Sequence, residues 1–144
     1  MSYLRSDADI TPDVLNRRSE GLLPGHLDIV ITAMGRAGGT ASFDIGRHHM
    51  APNGFLHAGS LVTLADTLCG IACMSSLPDT ASGFTTVELK SNFLGTAKTG
   101  TVTAEATPLH IGGTTQVWDC IVRHADTDKR LALFRCTQLV LRPR

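Results

Sequence analysis

One carboxylate stands inside the most apolar segment of the chain. In "NGFLHAGSLVTLADTLCGIACMSSLP", residues 53–78, Asp66 is flanked by "VTLA" and "TLCGIA". Placed on a helical wheel, Leu61, Val62, Leu64, Ala65, Leu68, Ile71 and Ala72 cover most of the circumference, the pattern of a helix buried nearly all round. What remains is a narrow stripe of Gly59, Thr63, Asp66, Gly70 and Cys73, spaced by three or four, with Asp66 its only charge. An ionised carboxylate buried without partners is costly, or it takes up a proton instead. Two readings follow. Asp66 is satisfied by neighbouring hydroxyls such as Thr63 or Thr67, or it lines an apolar pocket as base or nucleophile. The gap left by Gly59, Thr63 and Gly70 favours a substrate passage.

The N-terminus of the same helix adds a second chemical element. The first amides of a helix have no intrahelical partner and carry partial positive charge. "HAGS" puts the N–H groups of Ala58, Gly59 and Ser60 there, where they can polarise a carbonyl oxygen. Asp66 lies roughly 10 Å further along the axis, and its side chain leans back toward the tip. A carbonyl held at the tip comes within reach of Asp66, especially when the carboxylate belongs to a different subunit than the tip. Serine catalysis is poorly served: there is no G-x-S-x-G elbow, and Ser60 reads as a cap serine without a triad order.

The surrounding chain must position these groups. Its 144 residues fit one domain, with residues 1–20 an N-terminal helical extension. Thr11 as N-cap, Pro12 at the first helical position and Asp13 in the first turn predict a short helix ended by Gly21. A strand follows over 27–34, then "GGTASFDIG" alternates Ala41, Phe43 and Ile45 against Ser42 and Asp44, with Gly38 and Gly39 as the turn between. After an irregular loop with Pro52, Asn53 and Gly54, the long helix runs from about Gly59 to Ser76 and Pro78 stops it. "GFTTVELKSNFLG", "GTVTAEATPLH", "TTQVWDCIVRHA" and "KRLALFRCTQLVLRPR" are four strands in a meander. Short turns imply an antiparallel sheet, and one apolar helix covers one face of it. The fold class is α+β, a sheet wrapped around a central helix.

Composition excludes several functions. Thirteen basic and thirteen acidic side chains cancel and no basic run appears, which argues against a nucleic-acid partner. Asp66 and small polar residues break the longest apolar run, so no membrane span is expected. The N-terminus "MSYLRSDADITPDV" has no apolar signal core. Cys69, Cys73, Cys120 and Cys136 form no C-x-x-C pair and read as buried reduced thiols of a cytoplasmic protein.

Here the residues resemble a known family. A loop ending in "H-G/A-G", followed eight or nine positions later by "L-A-D/E-[ST]" in a buried helix and then by antiparallel strands, is similar to the hotdog-fold acyl-CoA thioesterases of the phenylacetate-pathway type. The motif stands here as "NGFLHAGSLVTLADTLCG", supported by "FTTVELKSNFLGTAKTG" and "RLALFRCTQLVL" over roughly residues 20–142. The resemblance implies a hotdog fold, edge-to-edge homodimers and commonly dimers of dimers (a homotetramer), with active sites at the dimer interface. It implies hydrolysis of an acyl-CoA or aryl-CoA, coenzyme A being part of the substrate and no separate cofactor or metal being needed. Asp66 becomes nucleophile or general base, the Ala58 and Gly59 amides bind the thioester oxygen, and His57 orients the loop or the substrate. Thr86 assists the attacking water or the carboxylate of the other subunit. Two positions depart from the pattern. Ala58 stands where glycine is common, yet keeps its N–H. Ala51 stands where Asn or Gln is usual; Asn53 takes that role with a shifted loop, or serves only as a turn residue beside Gly54. The alternatives on this fold are a dehydratase and a non-catalytic acyl-CoA-binding protein.

Other residues carry weaker signals. On an extended chain His48 and His49 point opposite ways, and no nearby acidic residue completes a metal set, so they read as a loop near the site mouth. Glu88, two residues after Thr86 on a strand, projects to the same face, as a second site carboxylate or, preferably, a rim charge. Lys90, Lys98, Arg123 and Arg135 are candidates for coenzyme A phosphates, each otherwise a solvated strand charge. Trp118 reads as packing.

Overall fold

The structure, a computed structural model, describes residues 10–144. The expected N-terminal extension and the signal-free stretch lie in part on residues 1–9, outside the described residues. Helix α1 spans Pro12–Ser19, with Pro12 and Asp13 in its first turn and Arg17 and Arg18 in its last, charges that complement the helix dipole at both ends. Thr11 occupies the N-cap position, but its side chain makes no capping bond. Gly21, at φ +72°, turns the chain, and a one-turn helix α2, Leu23–His26, follows. The strand expected from residue 27 therefore starts later, as β1, Val30–Gly35. Pro24 favours the helical turn, and Asp28 at φ 52° makes the corner.

Strand β2, Gly38–Asp44, pairs antiparallel with β1. Gly38 and Gly39 belong to this strand rather than to the turn. A Cβ on Gly38 would sit 2.1 Å from the Ala106 carbonyl oxygen, and its φ is +123°, so close approach to the neighbouring strand and the backbone conformation after the turn both demand the glycine. A 3-10 turn at Arg47–His49 precedes α3, Ala58–Ser75. Then come β3, Gly83–Phe93, β4, Thr101–Ile111, β5, Thr115–His124, and β6, Arg130–Leu141.

The six strands form one antiparallel sheet in the order β1-β2-β4-β5-β6-β3. Strands β4 to β6 are the expected meander, but β3 is not beside β4. It pairs with β6 at the opposite edge. Helix α3 crosses the sheet between β2 and β3, so the chain re-enters on the far side, and the 94–100 connection carries it back.

Alternation sorts the strands into two faces. Ile31, Ala41, Phe43, Val102, Ala104, Ala106, Trp118, Cys120, Val122, Phe134 and Cys136 point inward onto Leu61, Leu64, Ala65, Leu68, Cys69 and Ala72 of α3. Alanines and cysteines opposite the helix let it lie close to the sheet. Although α3 is long and apolar enough to cross a membrane, half of it is buried in this core.

The two sheet edges differ. The Asn16 side chain imitates a neighbouring strand along β1: its Oδ1 accepts from the Ile31 amide at 2.8 Å and its Nδ2 donates to the Ile31 carbonyl at 3.0 Å. Among the described residues no side chain is recorded bonding the outer edge of β3, and Val87 (56%), Leu89 (41%) and Phe93 (47%) are exposed.

Candidate active site

The tip of α3 is built by the loop before it. Asn53 Oδ1 accepts the Phe55 amide at 3.2 Å, closing an Asx turn beside Gly54, whose φ is +82°. The Asn53 carbonyl group of the side chain is thus engaged within its own loop. His57 is the N-cap, and its Nδ1 accepts the Gly59 amide at 2.7 Å. Among the described residues none is recorded accepting the Ala58 N–H, and Ala58 is exposed. The tip therefore offers Ala58 as its open donor, with the Gly59 amide already taken by the cap.

Asp66 lies on the half-exposed side of α3. Among the described residues no group donates to its buried Oδ1. The Thr63 hydroxyl instead donates to the Gly59 carbonyl at 2.8 Å, back along the helix. The reading of Asp66 as an aspartate satisfied by a neighbouring hydroxyl therefore does not hold for this oxygen. Burial pushes the Asp66 carboxyl above the usual carboxylate range. One turn on, Gly70 leaves just enough room for the Phe84 ring of β3, whose Cζ would lie 3.4 Å from an added Cβ.

Thr86 stands on β3 two residues beyond Phe84 and donates its hydroxyl to Gln138 Oε1 at 2.8 Å. Gln138 is fully buried, whereas Thr86 itself is exposed, so its hydroxyl bridges the surface of β3 to a buried amide. Glu88 does not share the face of Thr86. The β3–β6 register slips between Thr86 and Glu88, pairing them with the adjacent residues Gln138 and Thr137. This bulge at Val87 turns Glu88 outward toward the Thr137 hydroxyl, which leaves it a surface charge. Sequence reasoning missed Gln138 altogether, because a lone glutamine in a strand carries no motif.

The histidine pair and the cationic candidates also resolve. His48 and His49 do not diverge; the 3-10 turn brings their rings to 3.9 Å. Arg135 is held by Asp119 in two bonds of 2.6 and 2.9 Å, and Lys90 is its cross-strand partner on the same outer face. Arg123 bonds the Asp128 carbonyl at 3.3 Å. Lys98 alone of the four reaches the tip loop, its Nζ 5.1 Å from the Phe55 ring centroid. Trp118 is buried and donates to Gln116 Oε1 at 2.9 Å. The four cysteines are free and buried, and burial pushes Cys73 up to about 12, so this thiol is no nucleophile at neutral pH.

Comparison with known proteins decides what this arrangement belongs to. The profile of the thioesterase superfamily matches residues 53–130, the stretch that holds the tip, Asp66 and Thr86. The chain belongs to this superfamily. A 1,4-dihydroxy-2-naphthoyl-CoA hydrolase of Listeria monocytogenes is 32% identical over 118 residues, covering 82% of this chain and 93% of that one. A solved thioesterase of Pseudomonas aeruginosa superposes with a TM-score of 0.89 at 29% identity, over 99% of this chain and 100% of the other. A thioesterase of Haemophilus influenzae gives 0.87 at 29% identity over 99% and 96%. The sheet and its crossing helix are the hotdog fold, and the protein is a thioester hydrolase.

Proposed function

We propose that this thioesterase hydrolyses an acyl-CoA or aryl-CoA to the free acid and coenzyme A, with Asp66 as the reacting carboxylate. The observation that carries the reading is the Asp66 side chain, on an apolar helix, with a buried oxygen that none of the described residues satisfies. Such a group costs stability and is what a reaction centre retains. The naphthoyl-CoA activity named for the Listeria relative favours an aryl group on the carbonyl side.

Geometry on α3 also speaks for two copies in each site. Ala58 and Asp66 are eight residues apart, about 12 Å by helical rise. One thioester carbonyl cannot lie about 3 Å from both groups of the same helix. A second copy, joined along the uncovered β3 edge, would bring its own helix tip to Asp66. The homodimer, or a dimer of dimers, is therefore the working unit of this reading. Asp66 then attacks the thioester carbon to give a mixed anhydride that water hydrolyses to the free acid in a second step, or takes a proton from the water that attacks the carbon directly. The Ala58 amide of the other copy receives the developing oxyanion, and coenzyme A leaves as the thiolate. Thr86, whose hydroxyl hydrogen is committed to Gln138, presents only its oxygen lone pairs, so it accepts a hydrogen bond from the water. His57 holds the tip, and Asn53 shapes the loop before it. Lys98 beside Phe55 is the candidate cation for the anionic end of coenzyme A. Free, buried thiols suit the reducing cytoplasm.

The test is free-thiol release from a panel of straight-chain and aromatic CoA thioesters and their carrier-protein counterparts. Turnover of an aryl- or acyl-CoA supports the reading. Tight binding of CoA thioesters without any thiol release would replace it with a binding protein.

A further inference from the structure

We propose that His49 is the positioning residue of the α3 tip, a role that rests on the thioesterase reading above. His49 is fully buried. Its ring stacks on Phe43, with centroids 4.1 Å apart and planes within 15°, and the His48 ring lies 3.9 Å from it, tilted by 38°. Nδ1 accepts the Gly46 amide at 2.9 Å. A backbone N–H can only donate, so Nδ1 carries no proton. Nε2 lies 2.7 Å from the Leu27 carbonyl oxygen, which can only accept, so the ring proton sits on Nε2. With both nitrogens engaged by backbone, the imidazole has no capacity left for a metal or for proton transfer. Its ring ties the 3-10 turn to the corner between α2 and β1.

The other end of the same residue holds the tip. The His49 carbonyl accepts the His57 amide at 2.9 Å and the hydroxyl of buried Ser60 at 2.9 Å. His57 and Ser60 flank Ala58 and Gly59 on either side. The open Ala58 amide is thus suspended between two groups hung from one carbonyl, and that carbonyl is fixed by a ring locked in the core. Nearby, Met50 and Leu56 form a bridge that closes the loop, and His48 Nε2 meets Asp28 Oδ2 at 2.9 Å on the surface of the same corner. An oxyanion donor acts only when held at about 2.7–3.1 Å from the developing charge, and a displacement of about 1 Å costs about a hundredfold in rate.

Four variants separate positioning from mere core packing. His49→Phe keeps the stack on Phe43 and removes both ring bonds. His49→Asn restores an acceptor near Nδ1, and His49→Gln restores a donor near Nε2. Ser60→Ala removes one bond to the carbonyl without touching the ring. The readouts are amide hydrogen exchange of residues 58–60 against β4–β6, and kcat and KM on the best CoA thioester of the wild type. In folded His49→Phe, tip exchange should rise about tenfold with the sheet unchanged, and kcat should fall about 10–100-fold with KM nearly constant. Ser60→Ala should move both readouts the same way by less, and Asn or Gln at 49 should recover part of the loss. Wild-type tip exchange and kcat in folded His49→Phe would overturn the proposal. So would exchange that rises uniformly through the core while kcat per folded molecule holds. Should His49→Phe not fold, Ser60→Ala and His49→Gln are judged by the same outcomes. If the wild type hydrolyses no thioester, the thioesterase reading fails while the exchange arm still decides whether His49 positions the tip.

Discussion

His57 Nδ1 accepts the Gly59 amide hydrogen at 2.7 Å. This bond places the remaining imidazole proton on Nε2, because the capping nitrogen must be bare. It also divides the two tip amides: Gly59 stabilises the helix start, and Ala58 stays open to a ligand. An exposed histidine thereby does the work usually given to Ser, Thr, Asp or Asn at a helix N-cap.

Gly59→Ala should separate the cap from helix stability. An added Cβ would lie 2.9 Å from His57 Nδ1, forcing the ring away. Loss of the cap costs about 1 kcal/mol, while alanine gains about 1 kcal/mol over glycine inside a helix. The expected Tm is therefore close to wild type. The imidazole nitrogen shifts in an NMR spectrum should lose the Nε2–H tautomer signature of His57. A retained signature would show that the ring and the new methyl coexist.

Asp66→Asn should stabilise the fold at neutral pH. Burial raises the carboxyl's pKa in the folded chain above its unfolded value. Below the unfolded value both states are protonated and Asp66 costs nothing as a charge. As pH rises through the folded value, the native state must bear an ionised, desolvated carboxylate, and stability is lost. The variant's advantage in urea denaturation should be near zero in acid and grow as pH rises toward neutral. An advantage that does not change with pH would mean that desolvation of the charge is not its source.

The same shift governs activity. A base or nucleophile must be ionised, so kcat/KM should fall on the acid side with an inflection above the 3.8 of an unperturbed aspartate. A pH–rate profile from acid to neutral reads it directly. A profile flat down to that value would remove the ionised carboxylate from the rate law.

Thr86→Val should strand a buried acceptor. The Thr86 hydroxyl donates to Gln138 Oε1, and Gln138 is fully buried. Leaving that oxygen unpaired costs about 1–3 kcal/mol, whereas Thr86→Ser keeps the donor and should cost less. Chemical denaturation of the pair, with kcat measured alongside, checks both the stability and the rate.

Much of this architecture can be read from side-chain pattern alone. Helix α3 announces itself through "HAGS" at one end and Pro78 beyond the other, and the structure places each end within a residue of the expected Gly59 and Ser76. Asp66 is conspicuous because nothing else charged shares its helix. What pattern could not give is long-range. The position of β3 beside β6 depends on α3 crossing the sheet, and short, glycine-bearing connections look the same whether they close a hairpin or lead across. The Val87 bulge reverses Glu88 without any local sequence mark. His48 and His49 look alike as letters, yet a 3-10 turn buries one and leaves the other exposed. Gln138 became visible only through its partner.

The central claim is that Asp66 is the reacting carboxylate of a CoA thioester hydrolase. Asp66→Asn keeps the shape of the side chain and removes its charge. Thiol release measured for wild type and variant at equal folded concentration and equal oligomeric state tests it most directly. The account predicts a fall in kcat of about a thousandfold, with the fold intact by circular dichroism. Turnover of the variant at the wild-type rate would contradict it.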